Sequence, residues 1–131
     1  MSDIVNEFFH RHYPADLDDS KFQFTSMLGG MRRHRDYTVD RVFPRMECAD
    51  GFSMSAQGHS GAYSSPRDDF AKSYSAVEVG FPSEREELLM EYAEEPERPT
   101  ETVYGYVPVS VVIAVIEKHG GLKPAAEAVA A

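Results

Sequence analysis

Arg67 has the neighbours that an anion-binding side chain needs. It follows Pro66, whose ring stiffens the loop, and Ser64 and Ser65 bring hydroxyl donors beside it. A guanidinium fork among hydroxyls suits a phosphate group. Gly58 and Gly61 are able to turn backbone N–H groups toward the same anion. His59 lies between them, and Tyr63 offers a ring face on which a base stacks. Asp68 and Asp69 follow at once, so pairing with them to fix the loop is a second use for Arg67. Ser53, Ser55 and Gln57, two apart, form a row that either reads a polar ligand or faces water. The predicted ligand-binding set is therefore Arg67, Ser64, Ser65, His59, Tyr63, Ser53, Ser55 and Gln57.

Other reactive residue types are present without the spacing that would make them a site. His10, His12 and His34 match no established zinc pattern, and Cys48 is the lone thiol. Ser60 beside His59, with Asp68 and Glu78 downstream, has the residue types of an activated nucleophile but no nucleophile elbow. Glycine patterns for dinucleotides and phosphate loops are missing. No catalytic residue, metal ligand or cofactor is predicted. Arg32, Arg33, His34, Arg35, Arg41 and Arg45 make the one basic cluster, diluted by Asp36 and Asp40. It is either a phosphate contact or a solvated arm. Tyr104 and Tyr106 alternate with Val103, Gly105 and Val107, so one strand face is inward and the other partly exposed; an exposed Tyr suits a binding surface, and an aromatic packed on the last helix is the other reading.

The elements that must position these residues are readable from pattern. Ile4, Val5, Phe8 and Phe9 recur at helical spacing, with Ser2 or Asp3 as cap, until Pro14. Residues 14–36 are irregular, with a short extended Phe22 and Phe24 and a break at Gly29-Gly30. Tyr37 to Cys48 reads as an edge strand with a phase shift at Pro44. Asp50-Gly51 then predicts a two-residue hairpin turn, after which Phe52, Met54 and Ala56 share one face. Tyr74 to Phe81 is a strand with Val77, Val79 and Phe81 pointing one way. Ser83 and Glu86 have the capping-box spacing, predicting a helix that carries Leu88, Leu89 and Tyr92 inward. Val103 to Val107 is a strand. Pro108 opens a helix at its first position, with Val109, Val112, Ile113 and Ile116 as the apolar stripe and His119-Gly120-Gly121 as the stop.

These elements predict an α+β fold: an antiparallel sheet of four to six strands with two helices, from Ser83 and from Pro108, packed on one side. The expected organisation is an N-terminal helix and irregular arm over 1–36, an α+β core domain over 37–121 and an Ala-rich tail over 122–131. At 131 residues and 42% hydrophobic content the chain suits one core. Open sheet edges, one near Pro44, make a homo-oligomer plausible.

The net charge of −9 is uneven. Residues 1–67 hold 8 basic and 9 acidic side chains, and residues 68–131 hold 5 and 13. The acidic half repels a phosphate backbone, which argues against general nucleic-acid binding. It suits a basic protein surface instead, or simply a solvated exterior. No apolar run is long enough for a membrane helix. The N-terminus has acids where a signal peptide needs bases, so a cytoplasmic chain is expected, and the single cysteine fits a reducing compartment.

The segments CADGFSMS, SPRDD, YSAVEVGFPS and VYGYVPVSVVIAVIEKHGG resemble a group of small bacteriophage and prophage accessory proteins, over roughly residues 37–121. The resemblance implies a phage gene acting in the host bacterial cytosol, but no activity. Small phage proteins of this kind often counter host immunity, and the missing catalytic motifs make a non-enzymatic binding protein the expectation. Two routes are open: sequestering a small phosphate-bearing nucleotide signal at the Arg67 loop, or covering a host defence protein with the acidic surface. A weak hydrolase is a third.

Overall fold

The computed structural model describes residues 3–13 and 43–124. The expected features at Pro14, Phe22, Phe24, Gly29-Gly30, the arginines from Arg32 to Arg41, and residues 125–131 of the Ala-rich tail lie outside them. Helix α1 spans Ile4–His10, with Asp3 accepting from the Asn6 N–H at 2.7 Å as its cap. Strands β1 (Met46–Glu47), β2 (Ser53–Gln57), β3 (Ala76–Gly80) and β4 (Val103–Pro108) form one antiparallel sheet in the order β1-β2-β3-β4. Helix α2 spans Val109–Lys118. The fold is α+β, a four-stranded antiparallel sheet with two helices on one side.

A single core explains that arrangement. Met54 and Ala56 of β2 and Val77 and Val79 of β3 point to one face and are fully buried. Val5, Phe8 and Phe9 of α1 and Val112, Val115 and Ile116 of α2 close over them. The N-terminal helix is thus part of the core. An amide clamp fixes it: the Asn6 side chain accepts from the Tyr74 N–H at 2.7 Å and donates to the Tyr74 carbonyl at 3.0 Å. Gln57 makes the same two-way clasp on Phe43, at 2.8 Å each way, where β1 has diverged from β2. Both side chains supply the hydrogen bonds that a missing strand neighbour would have supplied.

Five expectations are corrected. The β1–β2 turn has three loop residues, Ala49, Asp50 and Gly51, rather than two. Cys48 N–H donates to Phe52 O at 2.8 Å, Gly51 N–H donates to Cys48 O at 3.0 Å, and Gly51 sits at φ +100°. That is the three-residue hairpin with a glycine bulge. The helix expected from Ser83 is a 3₁₀ segment over Glu87–Tyr92, capped by Glu86. Ser83 is drawn away because its hydroxyl accepts from Ser53 N–H and its own N–H donates to Ser53 O, extending the sheet. In the tighter 3₁₀ winding Leu89 alone of that segment is fully buried, Tyr92 is half-buried and Leu88 is exposed.

Phe81 is exposed rather than inward. Beyond the end of β3 its φ is +47°, which turns the ring out while its N–H bonds Thr102 O. Pro108 is the cap of α2 rather than its first residue, since its ψ of 142° is extended. Lastly, Val115 takes the buried place in the α2 stripe given to Ile113, which is half-buried. The stop at His119-Gly120-Gly121 is as expected. Gly121 N–H reaches back to Ile116 O and Gly120 N–H to Glu117 O, with Gly120 at φ +91°, the Schellman arrangement.

Candidate functional site

The β3–β4 register slips by one residue, with Val77 opposite Val107 but Val79 opposite Tyr104. The extra residue on β4 is a bulge, and Tyr106 within it has φ +51°. The bulge separates two tyrosines that simple alternation would have put together. Tyr104 goes fully inward, its hydroxyl donating to Pro99 O. Tyr106 goes outward, 49% exposed. Its N–H donates to Tyr63 O at 3.0 Å, which draws the 58–66 loop against β4.

Tyr63 lies next to it, 43% exposed, with the two ring centroids 5.9 Å apart. A Cβ at position 105 would stand 3.3 Å from Tyr63 Cβ, so the bare glycine of β4 seats that residue. Tyr63 N–H donates to Glu78 Oε1 at 2.8 Å, a second tie to the sheet. The Arg67 guanidinium lies 5.4 Å from the Tyr63 ring centroid, in cation–π range. Together Tyr63, Arg67 and Tyr106 make an open ridge of two rings and a cation, its tyrosines tied by the Tyr106 N–H to Tyr63 O and by the Tyr63 N–H to the Glu78 carboxylate.

The other predicted residues fall in three places. Ser64 is buried, its hydroxyl donating to Pro66 O at 3.0 Å, so it braces the loop from inside. Ser65 is exposed, its backbone pairs with Ala76, and the Ser65–Pro66 bond that follows is cis. His59 accepts from Gly61 N–H at 3.0 Å and so caps its own turn. Ser53, Ser55 and Gln57 do share the outer face of β2, half-buried. Their polar atoms hold the protein together: Ser53 Oγ takes Arg45 Nη2 at 2.9 Å, Ser55 Oγ takes Gln57 Nε2 at 3.0 Å, and Gln57 holds Phe43. Arg45 also donates to Phe81 O at 2.7 Å.

A second cluster escaped sequence reasoning. At the end of α2, His119 Nδ1 lies 2.6 Å from Asp50 Oδ2, and Nε2 lies 2.6 Å from Glu86 Oε1. Lys118 Nζ reaches Glu86 Oε2 at 2.8 Å, and the Phe52 ring stacks on the imidazole at 4.2 Å. His119 and Glu86 are both buried. Burial works to neutralise His119, but the bonds from Glu86 and Asp50 outweigh it and hold its pKa above the ordinary value. Burial likewise works to raise Glu86, and Lys118, the Leu88 N–H and His119 together pull it below. The capping-box pattern did single out Glu86, and the helix stop did single out His119, each for a local role.

Cys48 is fully buried, and burial, then the Asp50 charge, push its thiol up, so it is not a ready nucleophile. Among the described residues no three His, Cys, Asp or Glu side chains converge to hold a metal ion, and no helix is long and apolar enough to cross a membrane. Comparison with family models, curated proteins and solved structures finds no match to this chain.

Proposed function

We propose that this is a non-enzymatic binding protein whose recognition surface is the Tyr63–Arg67–Tyr106 ridge, and that its occupant is another protein. The observation that carries the reading is the ridge itself: two exposed tyrosines, set by a strand bulge and a glycine seat, with an arginine over one of their rings. Tyr and Arg are the side chains that most often anchor protein interfaces, and a pre-ordered anchor loses little entropy on binding. The hydroxyls and amide that would have built a polar cradle around a small ligand are used within the fold instead. Small ligands bind best in concave sites that bury most of their area.

The net charge of −9 steers a basic partner toward the chain over long range. In the setting implied by the resemblance to phage accessory proteins, that partner is a host defence protein. One observation favours a second reading, a nucleotide-type signal: Arg67 could take a phosphate while a base stacks on the adjacent Tyr106 ring.

Affinity capture from host lysate with the wild-type chain and with Tyr106→Ala and Arg67→Ala separates the two. The protein reading expects a host protein retained by wild type and lost from both variants, with their melting temperatures unchanged. Calorimetry against cyclic nucleotides and ADP-ribose derivatives is the counter-test. Micromolar binding that Arg67→Ala abolishes and Arg67→Lys partly restores would replace the protein partner with the nucleotide.

A further inference from the structure

Both ring nitrogens of His119 face carboxylate oxygens at 2.6 Å. A neutral imidazole has one N–H and one lone pair, so it could donate to only one of them. The other would set a lone pair against a carboxylate at hydrogen-bond distance. With both carboxylates ionised, the geometry requires the doubly protonated ring. Charge counting agrees. Asp50 and Glu86 are balanced by Lys118 and a protonated His119, and losing that proton leaves one net negative charge beside a Glu86 that is only 2% exposed.

The three members come from separate parts of the chain. Asp50 sits in the β1–β2 turn, Glu86 caps the 3₁₀ segment, and His119 ends α2. Each carboxylate also organises its own element. Asp50 Oδ1 accepts from Phe52 N–H at 2.9 Å, and Glu86 Oε2 accepts from Leu88 N–H at 3.0 Å. Within the cluster, the imidazole is the link between these two carboxylates.

The geometry points to a proton-held clasp: His119, as an imidazolium, ties the β1–β2 turn and the cap of the 3₁₀ segment to the end of α2, and it loosens both together when it loses its proton. Acid acts from the other side, since protonating Asp50 or Glu86 removes an arm. Among the described residues, the charged groups that face the clasp are few. Asp50 comes from the turn, Glu86 from the cap, and Lys118 from α2. Glu87, paired with Arg85, stands beside Lys118, and the buried Cys48 thiol lies near Asp50. The depressed Glu86 and elevated His119 are the values such a clasp needs. The Phe52 ring covers one face of the imidazole.

Nitrogen-15 spectra of the full chain with labelled histidine, recorded beside amide exchange across the pH range, test this. The clasp expects His119 protonated on both ring nitrogens at pH 7, titrating above an ordinary histidine. Protection at Phe52 and Leu88, corrected for the intrinsic pH dependence of exchange, should fall in step with that titration. In His119→Gln the step should vanish at both amides. Should that variant fail to fold, Asp50→Asn keeps the Glu86 arm. It should lower the His119 pKa and weaken protection at Phe52 while sparing Leu88. A ring with one proton at pH 7 would overturn the clasp, as would protection at Phe52 and Leu88 that ignores the state of His119.

Discussion

A methyl group added at Gly58 would stand 2.8–2.9 Å from three carbons of the Tyr74 ring. That ring is buried and cannot retreat, because its hydroxyl donates to Asp68 O and accepts from Ala71 N–H. Gly58→Ala should therefore destabilise the chain by about 1–3 kcal/mol, the usual cost of overpacking, as measured by urea unfolding. The cluster at His119 makes a second residue-scale prediction. Its folded pKa is raised, so its stabilisation is complete below the ordinary histidine value and is lost as pH rises through the folded one. Asp50 and Glu86 are lowered, so theirs is present above the ordinary carboxylate range and lost as pH falls through the folded values. Melting temperature should peak between about pH 4.5 and 6.5 and decline on the alkaline side, with the alkaline decline flattened in His119→Gln. That Arg67 and Tyr63 are neighbours was readable because loop chemistry is local. The bonds of Asn6 to Tyr74 and of His119 to Asp50 were not, since each spans more than sixty residues and no local pattern marks it.

At the scale of elements, alternation and helical spacing located β2, β3, β4 and both α-helices. They missed places where the backbone leaves its regular form at residues other than glycine. Positive φ at Phe81 and Tyr106 turned rings that alternation put on one side to the other, and no residue type announced it. A strand bulge depends on the register of the partner strand, which single-strand periodicity does not contain. The 3₁₀ segment was hidden likewise, because Ser83 found a sheet partner in Ser53 that competes with capping. Helix α2 gives a direct check of face. Val115→Asp should place an unpaired charge in the core and cost on the order of several kcal/mol, whereas Ile113→Asp, on a half-buried position, should cost distinctly less. Equal losses in thermal melts of the two variants would mean the helix is rotated from the orientation described.

Across the whole molecule, one core holds α1, α2 and the inner sheet face, and the outer side of the sheet carries the ridge. The proposed recognition residues thus lie apart from the core, and ridge variants are expected to fold. For the basic partner proposed above, the acidic surface would set the rate of encounter, so charge reversal at Glu91, Glu94 and Glu95 should slow association several-fold at low salt and matter little at high salt. Loss of a ridge anchor should act on dissociation instead. The most direct test of the ridge is surface binding of the captured host protein to wild type and to Tyr106→Ala. The expected result is a dissociation rate raised at least about thirtyfold with association nearly unchanged, the signature of a lost anchor worth roughly 2 kcal/mol or more. Equal dissociation rates for the two chains, each folded to the same melting temperature, would contradict the assignment of recognition to Tyr63, Arg67 and Tyr106.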